Sequence, residues 1–348
     1  MLARLVSSML LISAVLAASP ATASMDKAIW GPVEVDGQSQ FPVYRHLGVD
    51  IYQYGVRWDL TAPTRPADPL DPADPAYRWP GELDAAIAEA SRAGIAISLT
   101  VSRSPGWANG GRSGEWAPSD PGDYADFVEA ASRRYPTVRR WMIWGEPSRA
   151  GNFRPLAPRS KRGPRAYARL LDAAYVRLKR RSRRNVVIGG NTWTAGEISP
   201  VNWLRWMRLP NGRPPRLDLY GHNPFSRRRP RIADRPLTQG AVDFGSLDEF
   251  AARVDRVYRR KRVRFFLSEY TVPTGQPNHL FNFHESERTA ASWLRSALAE
   301  SRRYRRIAAF GWFGLYDEAP RPGGDETLYG LLRRDGSRKP AYYAFRRG

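Results

Sequence analysis

The chain contains no cysteine. That absence excludes disulfides, thiolate metal sites, a cysteine nucleophile and lipid attachment at a mature amino-terminal Cys. Lysine is scarce, occurring only at positions 27, 161, 179, 261 and 339. The four histidines, at 46, 222, 279 and 284, form no recognised metal-ligand motif, so no metal or other cofactor is expected. No glycine-rich fingerprint follows an early strand, which argues against a dinucleotide-binding open sheet. No recognised nucleic-acid-reading module occurs either. The one long apolar stretch, Leu5 to Ala18, is short for a membrane span.

That stretch has the pattern of a secretory signal. Arg4 precedes it, and Ala21-Thr22-Ala23 supplies small residues at the cleavage positions. The expectation is a signal peptide over 1–23 and an extracellular mature protein, with a retained anchor as the competing reading. The net charge is +21, and 50 of the 55 basic residues are arginine. Runs such as Arg180-Arg181-Ser182-Arg183-Arg184 and Arg302-Arg303-Tyr304-Arg305-Arg306 sit at predicted helix ends, where the macrodipole favours positive charge. An arginine-favouring genome accounts for this excess. An electrostatic attraction to an anionic cell-surface polymer is the functional alternative, and specific nucleic-acid binding is not expected.

With 348 residues and 42% hydrophobic content, the chain can bury a large core. Strand-like and helix-like segments alternate eight times without a linker. The strands are expected at Ala28 to Gly31, Ile51 to Trp58, Ile95 to Val101, Trp141 to Trp144, Val186 to Gly190, Leu217 to Gly221, Val263 to Ser268 and Ile307 to Trp312. Helical spacing of Leu83, Ala86, Ile87 and Ala90 ends at Gly94, and Asp120-Pro121 starts another helix. Ser246 and Glu249 have capping-box spacing. Such alternation implies a parallel sheet, and eight units over 24–348 fit a single-domain (β/α)8 barrel. The Pro-rich stretch from Pro63 to Pro80 would then be a long loop on the carboxyl-terminal face of the barrel.

Two carboxylates follow short apolar runs. Glu146 stands in Trp144-Gly145-Glu146-Pro147 after the fourth strand, and Glu269 in Leu267-Ser268-Glu269-Tyr270 ends the seventh. In a barrel, residues at strand carboxyl ends meet around one pocket. A pair of carboxyl groups flanking a glycosidic bond is the machinery of its hydrolysis.

The ordered set "GVRWD" at 55–59, "SPGWA" at 104–108, "RYPTVRRWMIWGEP" at 134–147 and "FGWFG" at 310–314, with "SEY", resembles clan A glycoside hydrolases, particularly families 5 and 39. The resemblance covers nearly the whole mature chain. It implies a retaining double displacement on a carbohydrate, with Glu146 as acid/base and Glu269 as nucleophile. It further implies that Arg57 lies near the nucleophile and keeps it ionised, that His222 flanks it, and that Trp312 forms an aromatic floor for the sugar. Trp58, Trp107 and Trp144 are aromatic candidates near the same face. Tyr270 follows the nucleophile, and Asn191 and Asn223 could offer amides to hydroxyls. Each of these also has an ordinary reading, as barrel packing for the aromatics, a satisfied core residue for His222 and a surface residue for Arg57.

One position departs from the pattern. Clan members carry Asn immediately before the acid/base, where it contacts the neighbouring sugar hydroxyl, and this chain has Gly145. Glycine cannot make that contact. That departure favours a competing reading, a non-catalytic glycan-binding barrel, and the arginine excess a second, an adhesin for anionic cell-surface polymer.

Overall fold

The computed structural model describes residues 25–233, 240–260, 262–278, 280–320, 324 and 326–348. The expected signal segment and His279 lie outside the described residues. Eight parallel strands close into a barrel: β1 Asp26–Trp30, β2 Ile51–Arg57, β3 Ala96–Ser102, β4 Arg140–Ile143, β5 Val186–Trp193, β6 Leu219–Asn223, β7 Arg264–Tyr270 and β8 Ile307–Phe313. Neighbours in sequence are neighbours in the sheet, and β8 closes on β1 with Gly311 opposite Ala28. A small hairpin, Glu34–Val35 with Gln38–Ser39, follows β1. The fold is a (β/α)8 barrel.

The helices of six or more residues are α1 Phe41–His46, α2 Gly81–Ala93, α3 Pro121–Arg134, α4 Arg162–Arg181, α5 Pro200–Trp206, α6 Leu247–Tyr258, α7 Glu287–Arg303 and, after β8, α8 Pro340–Arg347. Their local causes are readable. Leu83, Ala86 and Ala90 form the buried stripe of α2, which Gly94 ends at φ +70°, where a side chain would be strained. In α3 the Asp120 carboxylate accepts from the Gly122 amide, while Tyr124, Phe127 and Val128 turn inward. At α6 the expected Ser246–Glu249 capping box is displaced. A 3-10 turn over Phe244–Ser246 precedes the helix, so the unpaired amides begin earlier and Asp243 with Ser246 forms the reciprocal cap.

Inside the barrel, alternation places Ala28, Ile51, Met142, Ile188, Phe266 and Ala309 in one apolar plug. Above it the interior becomes polar. Gln53 donates through Nε2 to the Ser268 carbonyl at 2.8 Å and accepts from Ser268 Oγ at 3.0 Å. Gly311 is required beside them, because a Cβ there would lie 2.1 Å from the Ser268 carbonyl oxygen. The plug closes the lower barrel and turns the polar layer toward the carboxyl-terminal mouth.

The Pro-rich loop is ordered by its own contacts. Tyr77 donates to the Pro69 carbonyl at 2.7 Å and Trp79 to that of Pro72 at 2.8 Å, while both rings pack on Phe127 of α3. Among the described residues, no helix is long and apolar enough to cross a membrane.

Candidate active site

The turn after β4 presents Glu146 in an uncommon backbone state. Trp144 has φ +65° and Glu146 φ +42°, on either side of Gly145. Left-handed backbone at such residues costs on the order of 1 kcal/mol each, so surrounding contacts must impose it. The Trp144 indole donates to the Asn152 carbonyl at 2.8 Å, and its ring packs against Tyr124 and Phe153. The segment then curls back. The Arg149 amide donates to the Glu146 carbonyl at 3.1 Å, and the Asn152 and Phe153 amides donate to that of Arg149.

This curl brings donors onto the Glu146 carboxylate, which is only 7% exposed. Arg149 Nη1 donates to Oε2 at 2.8 Å, with Asn152 Nδ2 more distant at 3.4 Å. Oε1 accepts from Asn223 Nδ2 at 3.0 Å. The other end of that amide, Asn223 Oδ1, accepts from the Glu269 backbone N–H at 3.1 Å. One buried side chain at the end of β6 thus links the acidic residues of β4 and β7. Burial and the negative charge of Glu146 push the Glu269 carboxyl well above the usual carboxylate range, and Arg149 partly offsets them.

Asn191 supports this arrangement from β5. It has φ +35° and donates through Nδ2 to the Trp144 carbonyl at 3.2 Å, bracing the turn that carries Glu146. Gly145 is not forced by sterics. A Cβ there would meet only Thr100 Cγ2, at an ordinary 3.8 Å.

Other expected site residues lie elsewhere. Arg57 is paired with Asp59, its side chain 54% exposed, so the expected partnership with Glu269 is not formed. Its place is taken by Arg149, which reaches Glu146 first. His222 turns outward to the helix layer, against Phe250 of α6. Its ring nitrogens are occupied by Thr192 Oγ1 and the Val242 carbonyl, each at 2.9 Å, and burial lowers its pKa to about 4. It packs behind the sheet instead of flanking the glutamate.

Strand alternation decides Trp312 in the same way. Ala309 and Gly311 face the barrel interior, so Phe310 and Trp312 face out. Trp312 is 1% exposed and packs edge-on against Tyr270, which itself contacts Phe244 and Phe310. It is not the floor of an open subsite, and Tyr270 points away from the mouth with it. Trp58 and Trp107 pack together beneath the Pro-rich loop, with Arg65 over the Trp107 ring. They border a separate cavity of about 240 Å³, and Trp144 is buried packing beneath the Glu146 turn.

The residues not anticipated are Arg149, Asn152, Trp193 and the Gln53–Ser268 pair. Arg149 had a signal in the sequence, since it lies three residues after Glu146. Trp193 ends β5 opposite Asn223, and the Arg149 guanidinium lies 4.7 Å from its ring centre. Among the described residues no cluster of acids and histidines could hold a metal ion.

With this geometry established, comparison with solved structures is informative about the fold. A family 39 glycoside hydrolase from Bacteroides cellulosilyticus aligns over 93% of this chain and 63% of its own, at 16% identity and TM-score 0.66. A glucosidase from Croceicoccus marinus aligns over 93% and 65%, at 18% identity and TM-score 0.67. The chain has the barrel fold of glycoside hydrolases. A β-glucosidase from Thermotoga maritima, at 12% identity and TM-score 0.60, is covered over 98% of its length. The chain spans slightly under two thirds of the first two proteins. No protein-family model and no curated protein sequence matches it.

Two acids linked at a barrel mouth, the carboxylate of one tied through an amide to the backbone of the other, can divide acid and nucleophile work between them. Both Glu146 oxygens accept hydrogen bonds here, so acid chemistry requires one of them to exchange a donor for a proton.

Proposed function

We propose that this protein is a glycoside hydrolase that cleaves O-glycosidic bonds of an oligo- or polysaccharide by a retaining double displacement. The observation that supports it most is the Asn223 amide shared between the Glu146 carboxylate and the Glu269 backbone, which links the two acids at the carboxyl-terminal end of the barrel. In this reading Glu146 protonates the leaving oxygen while Glu269 attacks the sugar carbon. Glu146 then takes a proton from the water that releases the glycosyl group. Retention requires a carboxyl separation of about 5–5.5 Å in the loaded site.

The double displacement needs a proton on Glu146, whose Oε2 accepts from Arg149. Productive binding therefore has to open the Arg149–Glu146 ion pair. With Gly145 in place of asparagine, Asn223 is the amide that stands to contact a sugar hydroxyl beside the pair. We propose too that the mature protein begins near Ser24 and acts outside the cytoplasm. Amino-terminal sequencing of secreted material tests this, and recovery of intact Met1 in a membrane fraction would refute it.

The catalytic reading is tested by replacing each glutamate with alanine, after a screen of aryl glycosides and polysaccharides finds a substrate. Glu269→Ala should nearly abolish turnover, with azide restoring product of inverted configuration. Glu146→Ala should slow substrates with poor leaving groups by roughly 10²- to 10⁴-fold while activated aryl glycosides still react. Azide should then release product with retained configuration. Wild-type rates in both variants would make the pair structural. An arginine-rich adhesin would instead release its polymer steeply as ionic strength rises.

A further inference from the structure

Beside the glutamate pair lies a cavity of about 450 Å³, bordered by Arg149, Trp193, Phe225, Arg227, Asn278 and Phe281. Arg149 connects it to the candidate active site: it borders the cavity, and its Nη1 holds Glu146 Oε2 at 2.8 Å while its side chain stays 42% exposed. The guanidinium lies over the Trp193 ring, 4.7 Å from its centre, and both residues border the cavity. Arg227 is exposed at the same rim, and its guanidinium makes no ion pair or hydrogen bond among the described residues. The negative group in the wall, Asp243, is 2% exposed and already used. It caps Ser246 and lies 3.5 Å from Arg228. Two arginines therefore border a cavity that is also lined by an indole, phenyl rings and an amide. A sugar ring stacks on the aromatics, and a carboxylate matches the planar donor fork of a guanidinium.

We propose that this cavity is a subsite for an anionic sugar residue, whose carboxylate is held by Arg149 and Arg227 while its ring packs in the aromatic lining of the cavity. The proposal deepens the glycosidase reading and rests on it for the chemistry after binding. The substrate carboxylate competes with Glu146 Oε2 for the Arg149 guanidinium. Once Arg149 turns to the sugar, Glu146 Oε2 loses its strongest donor and is free to carry the proton that the leaving oxygen needs. Acidic substrate thus assembles the acid, and a neutral sugar leaves Glu146 bound to Arg149. A sulfate ester would present the same charge with a different shape.

The test is binding and turnover with matched probes at 150 mM NaCl. These are tetrasaccharides of polyglucuronate, polygalacturonate, polymannuronate and chondroitin sulfate, with the carboxyl-reduced form of each. At least one acidic probe should bind tenfold or more tighter than its reduced form, and chondroitin desulfated but not reduced separates carboxylate from sulfate. Arg227→Met and Arg149→Met should each cut that preference at least tenfold with the melting temperature maintained. Arg183→Met, an exposed arginine remote in sequence from the cavity, should leave it unchanged and controls for the general charge of the chain.

Equal binding of acidic and reduced forms, no binding of any acidic probe, or an equal loss in Arg183→Met would overturn the subsite. If acidic probes bind with this arginine dependence but nothing is hydrolysed, the catalytic reading fails and the subsite stands. If neutral glycosides are hydrolysed through Glu146 and Glu269 without any acidic preference, the subsite fails and the catalytic reading stands.

Discussion

Asn223 is the side chain on which the site's integrity depends most directly, and its replacement is a quantitative test. Asn223→Ala removes a donor 3.0 Å from Glu146 Oε1 and an acceptor 3.1 Å from the Glu269 amide. A hydrogen bond to a charged group contributes about 1.5–3 kcal/mol and a neutral one about 0.5–1.5 kcal/mol, so the loss should be about 2–4.5 kcal/mol. For a chain of this size that lowers the melting temperature by on the order of 5 °C. Asn223→Asp keeps the shape but turns the donor into a carboxylate oxygen. At the observed 3.0 Å, two unit charges repel by about 5.5 kcal/mol at an effective dielectric of about 20. The site should take up a proton instead, so folding should bind an extra proton near neutral pH. Thermal unfolding measured from pH 5 to 9 reads both effects: Asn223→Asp should approach wild type at pH 5 and lose stability as pH rises. If its stability matched wild type at pH 9, the amide would not lie between the two glutamates and the geometry of the pair would be wrong.

Three further outcomes are expected. Glu269 is raised above its unfolded value, so its burial costs nothing below the ordinary carboxylate range, and the cost grows as pH rises toward the folded value. Glu269→Gln should therefore be more stable than wild type at alkaline pH, with the gain vanishing at pH 4, as differential calorimetry would show. His222 behaves in the opposite sense: lowered from 6.5 to about 4, it withdraws stability as pH falls through that window, by up to about 3 kcal/mol. Proton NMR should find the imidazole neutral at pH 5, and a His222→Gln variant should show a shallower acid loss; an imidazole protonated at pH 6 would contradict its burial. Trp312→Ala should cost about 3–5 kcal/mol of stability as a core truncation, and a well-folded variant with selectively weakened sugar binding would return Trp312 to the site.

What the sequence determined by itself was the architecture and the position of the acids along it. Apolar runs such as "VRFFL" and the amphipathic helices between them encode a local period, and the eight alternations leave the chain little choice but a closed parallel barrel. The strands appear within three residues of where these runs place them. Glu146 and Glu269 were legible because a strand end is a local property. The facing of individual side chains was not. A single residue of phase at β8 turns Trp312 to the helices, and Thr192 with Val242 claims both nitrogens of His222. Arg57 reads as a partner for Glu269 by its place on β2, but Asp59, two residues on, is nearer. The curl from Glu146 to Phe153 puts Arg149 on the acid, and the β5–β6 register sets Trp193 beside Asn223. Tertiary structure alone decides such contacts, because they depend on strand register and on which of several nearby donors arrives first, and neither quantity is periodic in the sequence.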